Sequence, residues 1–445
     1  MKKTTAIEIL SPLEFCVFDL ETTGGNQQTD KIIEIGMVRI QNLKIISEKN
    51  FLIQPEIKIP EFIQNLTNIY PKDVKNAPLI EEVIDEILDF MGERILVAHN
   101  TSFDIPFFNS VLKRLGKNSL QNKNLCTNLM TKYLVPSLLN SNLNYMSRIF
   151  NIGHTKAHRA LDDARATAEL LIKYLDVFMD KGLSKINHLY YPRNKFELDR
   201  FYLKKGEDLK NLKHLLVPIQ SPLLVTIKGE NGTILTVFPF DKNKNFSLIE
   251  ESLALLDWKT LTLKMIGHPF ELFIQMAPLL PRIKSSERFK IINDLWEAYL
   301  PEETPSSQNN TNQEETEEET PKKFCFETYG DFVILNHLVP EQYIIYSTQS
   351  LGHSERLVFR YPGHQKKLLQ YTKSRTARIL SSKLKKVHYP EPFNEFLFRY
   401  IQYHKKGLLF MSDPSLKKKK NLFLESLDHF IEENPNSYNF PTIHI

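Results

Sequence analysis

Asp19, Glu21, Asp104 and Asp163 are four carboxylates within the first 163 residues, each set in a segment whose pattern can aim it at a shared point. Asp19 and Glu21 follow the apolar run Phe15-Cys16-Val17-Phe18, and the two-residue period of a strand puts both side chains on one face. Asp104 comes after a short buried strand, Ile95 to Ala98, in the first turn of a helix expected to run through Leu112 with Ser102 as its cap. Asp163 opens a long amphipathic helix with apolar residues at Ala166, Leu170, Leu171 and Leu175. His158 precedes it by five positions, so the two can face one site only if His158 lies on the loop or first turn feeding that helix.

These residue types suit phosphodiester hydrolysis. The substrate is anionic, so the reaction needs cations on the attacking and leaving oxygens, and paired Mg²⁺ or Mn²⁺ ions ~4 Å apart supply them. Such hard cations take oxygen ligands. Four carboxylates can hold two ions with positions left open for water and phosphate, and a histidine that titrates near neutrality can take the proton of the attacking water. His158 is available for that role.

The motifs are Asp-x-Glu at Asp19 and Glu21, His-Asn-x-x-Phe-Asp from His99 to Asp104, and His158 followed five residues on by Asp163. In this order, over residues 12–178, they resemble the DEDDh family of 3′-to-5′ exonucleases, the group that includes the proofreading epsilon subunit of bacterial DNA polymerase III. The resemblance implies that the four acids bind two divalent ions, that His158 is the general base, and that Thr22, Thr23, His99, Asn100 and Phe103 line the path of the 3′-terminal nucleotide. It also implies a ribonuclease-H-like α/β fold. The strand signals agree: segments 30–40 and 44–53 continue from the first strand as an antiparallel meander, and 95–98 joins in parallel after a helix over 81–91. Cys126-Thr127 stands where many relatives carry Asp-Thr, which is expected to weaken a helix cap.

The remaining chain reads as smaller α+β modules. Residues 1–180 are the expected exonuclease domain and 181–300 an α+β module, with a hairpin marked by Asn231-Gly232. Residues 301–323 form an acidic linker expected to be disordered, and 324–445 a basic C-terminal module. Ten Lys or Arg residues and no acid lie between Arg356 and Lys386, interleaved with Phe359, Tyr361 and Tyr371, a composition suited to nucleic-acid contact. Lys417 to Lys420 is a second basic run, expected in a loop. Tyr190 and Tyr191 suit packing better than base stacking.

Bulk properties bound the function. With 57 basic and 53 acidic residues the formal charge is only +4, which argues against a uniformly cationic coat and for local patches. Cys16, Cys126 and Cys325 are odd in number and far apart, which fits free thiols rather than a disulfide framework or a zinc site. No apolar run approaches a membrane span, so a cytoplasmic protein without a membrane partner is expected. The leading expectation is metal-dependent removal of nucleotides from single-stranded or frayed 3′ ends in replication or repair, DNA being favoured over RNA. The alternatives are an RNA-trimming 3′-to-5′ exoribonuclease and a module that assembles with a DNA polymerase subunit. Gln365 to Leu369 is a weak match to a clamp-binding peptide and reads better as helix.

Overall fold

The computed structural model describes residues 2–135, 137–154, 157–192, 196–207, 209–241, 246–300, 326, 329–348, 356–380, 391–414 and 417–435. The expected acidic linker, and with it Arg193, Cys325, Lys383, Lys385 and Lys386, lie outside these residues. Two compact units are present, one reaching Leu198 and the other beginning at Asp199.

The first unit is a mixed sheet flanked by helices, the ribonuclease-H-like α/β architecture. A short helix α1 (Lys2–Leu10) leads into β1 (Glu14–Thr22), β2 (Ile32–Gln41) and β3 (Lys44–Leu52). Helices α2 (Glu61–Thr67), α3 (Pro71–Val74) and α4 (Ile80–Met91) precede β4 (Ile95–Ala98) and α5 (Thr101–Arg114). Then come β5 (Asn124–Cys126), α6 (Thr127–Leu134), α7 (Leu143–Ile149) and α8 (Ala160–Asp180). The strand order is β3-β2-β1-β4-β5. Neighbours from β3 to β1 are antiparallel, while β4 runs parallel to β1 and β5 to β4.

Residue chemistry explains this order. β1 is central and covered on both faces, so Phe15, Cys16, Val17 and Phe18 are all buried rather than alternating. At the edge, β3 carries Lys44, Glu48 and Lys49 on a half-exposed ribbon, as an edge strand must to discourage further pairing. The meander turns at Asn42 and Leu43, both with positive φ, 51° and 60°, as the tight two-residue hairpin demands. On α4, Val83, Ile84, Ile87, Phe90 and Met91 form the stripe that packs on the sheet, and the helix stops at Gly92 with φ 52°. Along α8, Ala160, Ala164 and Ala168 recur at four-residue spacing, small enough to let the helix lie close over β1 and β2.

The second unit contains two antiparallel sheets. One holds β6 (Arg200–Lys204), β7 (Leu223–Lys228), β8 (Ile234–Phe240) and β9 (Thr260–Met265) in the order β6-β9-β7-β8. Asn231 and Gly232 take φ of 56° and 73° between β7 and β8, as the Asn-Gly signal implies. The other holds β10 (Phe332–Asn336), β11 (Tyr343–Ser347), β12 (Arg356–Phe359) and β13 (Leu409–Met411) in the order β12-β11-β10-β13. Where the sequence separates 181–300 from 324–445, the structure has one apolar cluster that takes Leu224 and Val237 from the first sheet and Val333, Leu335 and Ile344 from the second. Phe270 and Phe273 of the helix Pro269–Met276 and Phe396 and Tyr400 of the helix Glu391–Tyr403 belong to the same cluster. The basic run Lys417 to Lys420 starts a helix, Lys417–Glu433, and is not the expected loop, because Phe423, Leu427 and Phe430 behind it give that segment a buried stripe.

Candidate active site

Strand β1 delivers Asp19 and Glu21 two residues apart, opposite Gly36 and Glu34 of β2. From the other side, α5 brings Asp104, whose carboxyl is buried. The helix begins at Thr101 with Asn100 in the cap position. Ser102, expected as the cap, sits inside the first turn and donates from Oγ to Asn100 Oδ1 at 2.7 Å; the cap falls earlier because the Asn100 carbonyl already accepts the Phe103 amide at 2.9 Å.

Asp163 lies in the first turn of α8. How that helix reaches the site is decided by β2. Glu34, wholly buried, accepts Arg159 Nε at 3.0 Å and Arg159 Nη2 at 2.7 Å, a bidentate fork, together with the Ala160 amide at 3.0 Å and Asn50 Nδ2 at 2.8 Å. The backbone of α8 then presses so close to Gly36 that a Cβ there would meet the carbonyl carbon of Ala160 at 2.2 Å. Glycine is required at this strand position because a helix start occupies the place of its side chain.

His158 is exposed, in the turn just before α8, with φ 63°. Its ring nitrogen and the carboxylates of Glu21 and Asp163 have ligand atoms all within 4.8 Å of one another, while its backbone amide donates to Asp163 Oδ2 at 3.2 Å. The other Asp163 oxygen is taken by a residue that spacing did not single out: His154 Nε2 lies 2.5 Å from Oδ1.

The electrostatics are those of a site lacking positive charge. Burial first, and then Asp104, Asp163, Glu21 and Glu34, push the Asp19 carboxyl well above the usual carboxylate range. Glu21 is pushed up to about 8 by burial and then by Asp163, Glu34 and Asp104, with Arg159 pulling the other way. Burial raises Asp104 to about 7. Glu34 behaves oppositely: burial would raise it, but the bonds from Arg159, Asn50 and Ala160 outweigh burial and keep it low. The repulsion among Asp19, Glu21, Asp104 and Asp163 that favours their protonated forms is relieved when a divalent cation joins them as anions. Hard oxygen donors with one imidazole beside them form a donor set that fits Mg²⁺ or Mn²⁺.

The other expected site residues have partners of their own. Thr22 Oγ1 donates to the Gly24 carbonyl at 2.7 Å, and Thr23 Oγ1 accepts the Lys31 amide at 3.0 Å. His99 has both ring nitrogens engaged, Nδ1 with Thr127 Oγ1 at 3.0 Å and Nε2 with the Ser141 carbonyl at 2.8 Å, and burial lowers its pKa. Phe103 packs half-buried on the core beside Phe107, ring centroids 5.6 Å apart. Cys126 does cap α6 after all: its Sγ accepts the Leu129 amide at 3.4 Å, because sulfur is large enough to reach it.

In the second unit, two members of the basic run are internally paired, Arg356 with Glu271 at 3.0 Å and Arg360 with Glu341 at 2.9 Å. Lys366, Lys367 and Lys373 of the helix Gln365–Leu380 are exposed, while its Leu368 is fully buried, which makes Gln365 to Leu369 helix surface and core rather than a free peptide. Glu34, Gly36 and His154 were missed from the sequence. A lone acid in the apolar strand Ile32-Ile33-Glu34-Ile35 was a usable signal, since an unpaired charge is almost never fully buried.

A ribonuclease-H-like sheet with carboxylates converging from one strand and two helices defines a nuclease-type site. Residues 16–171 match the model of the Exonuclease family. DNA polymerase III PolC-type of Caldanaerobacter subterraneus is 41% identical over 199 residues, which is 45% of this chain and 14% of that protein. The Clostridium perfringens PolC-type polymerase is 40% identical over 158 residues, 36% of this chain and 11% of that protein. The chain therefore spans about a seventh or less of these relatives. A solved exonuclease X, bound to duplex DNA with a 5′ overhang, is 25% identical with a TM-score of 0.32, covering 40% of this chain and 96% of its own. The similarity to exonucleases thus lies in residues 16–171. No helix among the described residues is long and apolar enough to cross a membrane.

Proposed function

We propose that the protein is a metal-dependent 3′-to-5′ exonuclease that removes nucleotides from single-stranded or frayed DNA ends. The observation that carries this reading is the convergence of Glu21, His158 and Asp163 ligand atoms within 4.8 Å, next to an Asp19 and an Asp104 whose ionisation burial opposes. Asp19, Glu21, Asp104 and Asp163 would hold two divalent ions, Mg²⁺ or Mn²⁺. When bound, the ions neutralise charge on the phosphodiester and acidify water.

The chain's own residues do the rest. His158, exposed on a turn anchored by its amide to Asp163, takes the proton of the attacking water at a ring nitrogen. Thr22, Thr23, Asn100 and Phe103 flank the terminal nucleotide, and His99, with both ring nitrogens engaged, contributes shape and a neutral ring face. Similarity to DNA polymerase III relatives supports DNA over RNA as substrate and a polymerase subunit as a partner.

The test is degradation of 3′-labelled and 5′-labelled single-stranded DNA and RNA of matched sequence by the full chain, with Mg²⁺, Mn²⁺ or EDTA. Stepwise loss from the 3′ end that requires metal, prefers DNA, and disappears in Asp19→Ala and His158→Ala is expected. Faster trimming of RNA would move the assignment to an exoribonuclease. No cleavage of either polymer by folded protein would overturn the enzymatic reading.

A further inference from the structure

We infer that His154 is a positioning residue of this site, donating from Nε2 to Asp163 Oδ1 and thereby fixing both a metal-binding carboxylate and the turn that carries His158. The inference deepens the nuclease reading and rests on it.

Three observations converge. His154 Nε2 lies 2.5 Å from Asp163 Oδ1, and the histidine side chain is only 3% exposed. Its Nδ1 is also buried and has no hydrogen-bond partner among the described residues. An Nδ1–H there would be an unsatisfied buried donor, so the proton belongs on Nε2, facing the carboxylate. An imidazole that donates through Nε2 cannot use that atom as a metal ligand, and His154 is absent from the Glu21, His158 and Asp163 group whose ligand atoms cluster.

The third observation concerns the loop. Asp163 Oδ2 accepts the backbone amide of His158 at 3.2 Å. One loop thus grips both oxygens of one carboxylate, by the side chain of residue 154 and the amide of residue 158. The χ1 and χ2 torsions of Asp163 are set, and each oxygen keeps a lone pair for a cation. His158 holds φ 63°, sparsely populated for a residue with a Cβ, and the two anchors on Asp163 are what hold that turn. Outer hydrogen bonds to ligating groups are worth about 10–100-fold in metal affinity or activity.

The experiment compares full-length wild type, His154→Ala, His154→Gln and His154→Asn by calorimetric Mn²⁺ titration, circular dichroism and exonuclease assay against Mn²⁺ concentration. The Gln amide nitrogen reaches the place of Nε2, whereas that of Asn reaches only the place of Nδ1. Expected is a loss of about 10–100-fold in Mn²⁺ affinity for His154→Ala, substantial recovery in His154→Gln, and none in His154→Asn, with all four proteins folded. Should the Ala variant fail to fold, the Gln and Asn pair decides. Wild-type affinity in His154→Ala, or equal behaviour of the Gln and Asn variants, would overturn the positioning role while leaving the nuclease reading standing. Wild-type protein that binds no Mn²⁺ would remove that reading, and the positioning role with it.

Discussion

Glu34 and Arg159, 125 residues apart in the chain, form a two-point fork at 3.0 and 2.7 Å that fastens the start of α8 to the second strand of the sheet. Asp163 stands one turn beyond Arg159, so the fork sets where the third motif meets the first. The Ala160 amide on the same carboxylate adds a cap-like bond to the helix start. Removing the guanidinium leaves a fully buried Glu34 with only Asn50 and one amide. Arg159→Ala is expected to cost on the order of 3 kcal/mol of stability in the first unit and to depress cleavage further than the fall in folded fraction explains. Chemical denaturation alongside kcat would check this; an unchanged midpoint would show that the fork is dispensable.

Gly36 makes a sharper geometric claim. A methyl group there would overlap the backbone of Ala160 at 2.2 Å, and backbone cannot swing aside as a flexible side chain can. Gly36→Ala is expected to destabilise by about 2–3 kcal/mol and to lower divalent-ion affinity, because α8 must retreat with Asp163. Gly363→Ala, where a Cβ meets nothing within 4 Å, serves as the neutral comparison. Equal melting temperatures for the two variants would refute the close approach.

The raised Glu21 acid predicts a pH effect on the metal-free protein. Its carboxyl shifts from the ordinary 4.5 to about 8, so between those values the folded state binds more protons than the unfolded one, and stability falls as pH rises. Measured in EDTA, Glu21→Gln should therefore gain on wild type in melting temperature as the buffer moves from pH ~5 to ~8. Divalent cation should stabilise wild type more at the upper end of that range. A difference between the two proteins that is flat with pH would contradict the shift.

In the second unit the sign reverses. Burial first, then Arg356 and Lys264, lower the His337 pKa from the ordinary 6.5 to about 3. The unfolded state then takes up the proton that the folded state refuses, and stability falls as pH drops below 6.5. Both tryptophans of the chain, Trp258 and Trp296, belong to this unit, so intrinsic tryptophan fluorescence follows its unfolding alone. Wild type should lose midpoint denaturant concentration on acidification, and His337→Gln should lose less. Parallel losses in the two proteins would assign the acid sensitivity elsewhere.

Local signals carried much of the design. Two-residue periodicity placed Asp19 and Glu21 on β1, and Asn231-Gly232 marked the turn of a hairpin that is present. The spacing of His158 and Asp163 correctly required His158 to lie before the helix. Where reading failed, it failed at helix starts and in long-range partnerships. Ser102 lost the cap to Asn100, and Lys417 to Lys420 proved to be the first turn of a helix.

The amino-acid sequence by itself determined the identity and order of the motif residues and the strands and helices bearing them, since each of these rests on spacing within a single segment. Only the tertiary structure decided how the segments meet: that Glu34 receives Arg159, that Gly36 yields its side-chain space to Ala160, and that His154 reaches Asp163. Such pairings join residues whose separation in the chain follows no period, and they exist only because the sheet order and the approach of α8 bring them within hydrogen-bond distance.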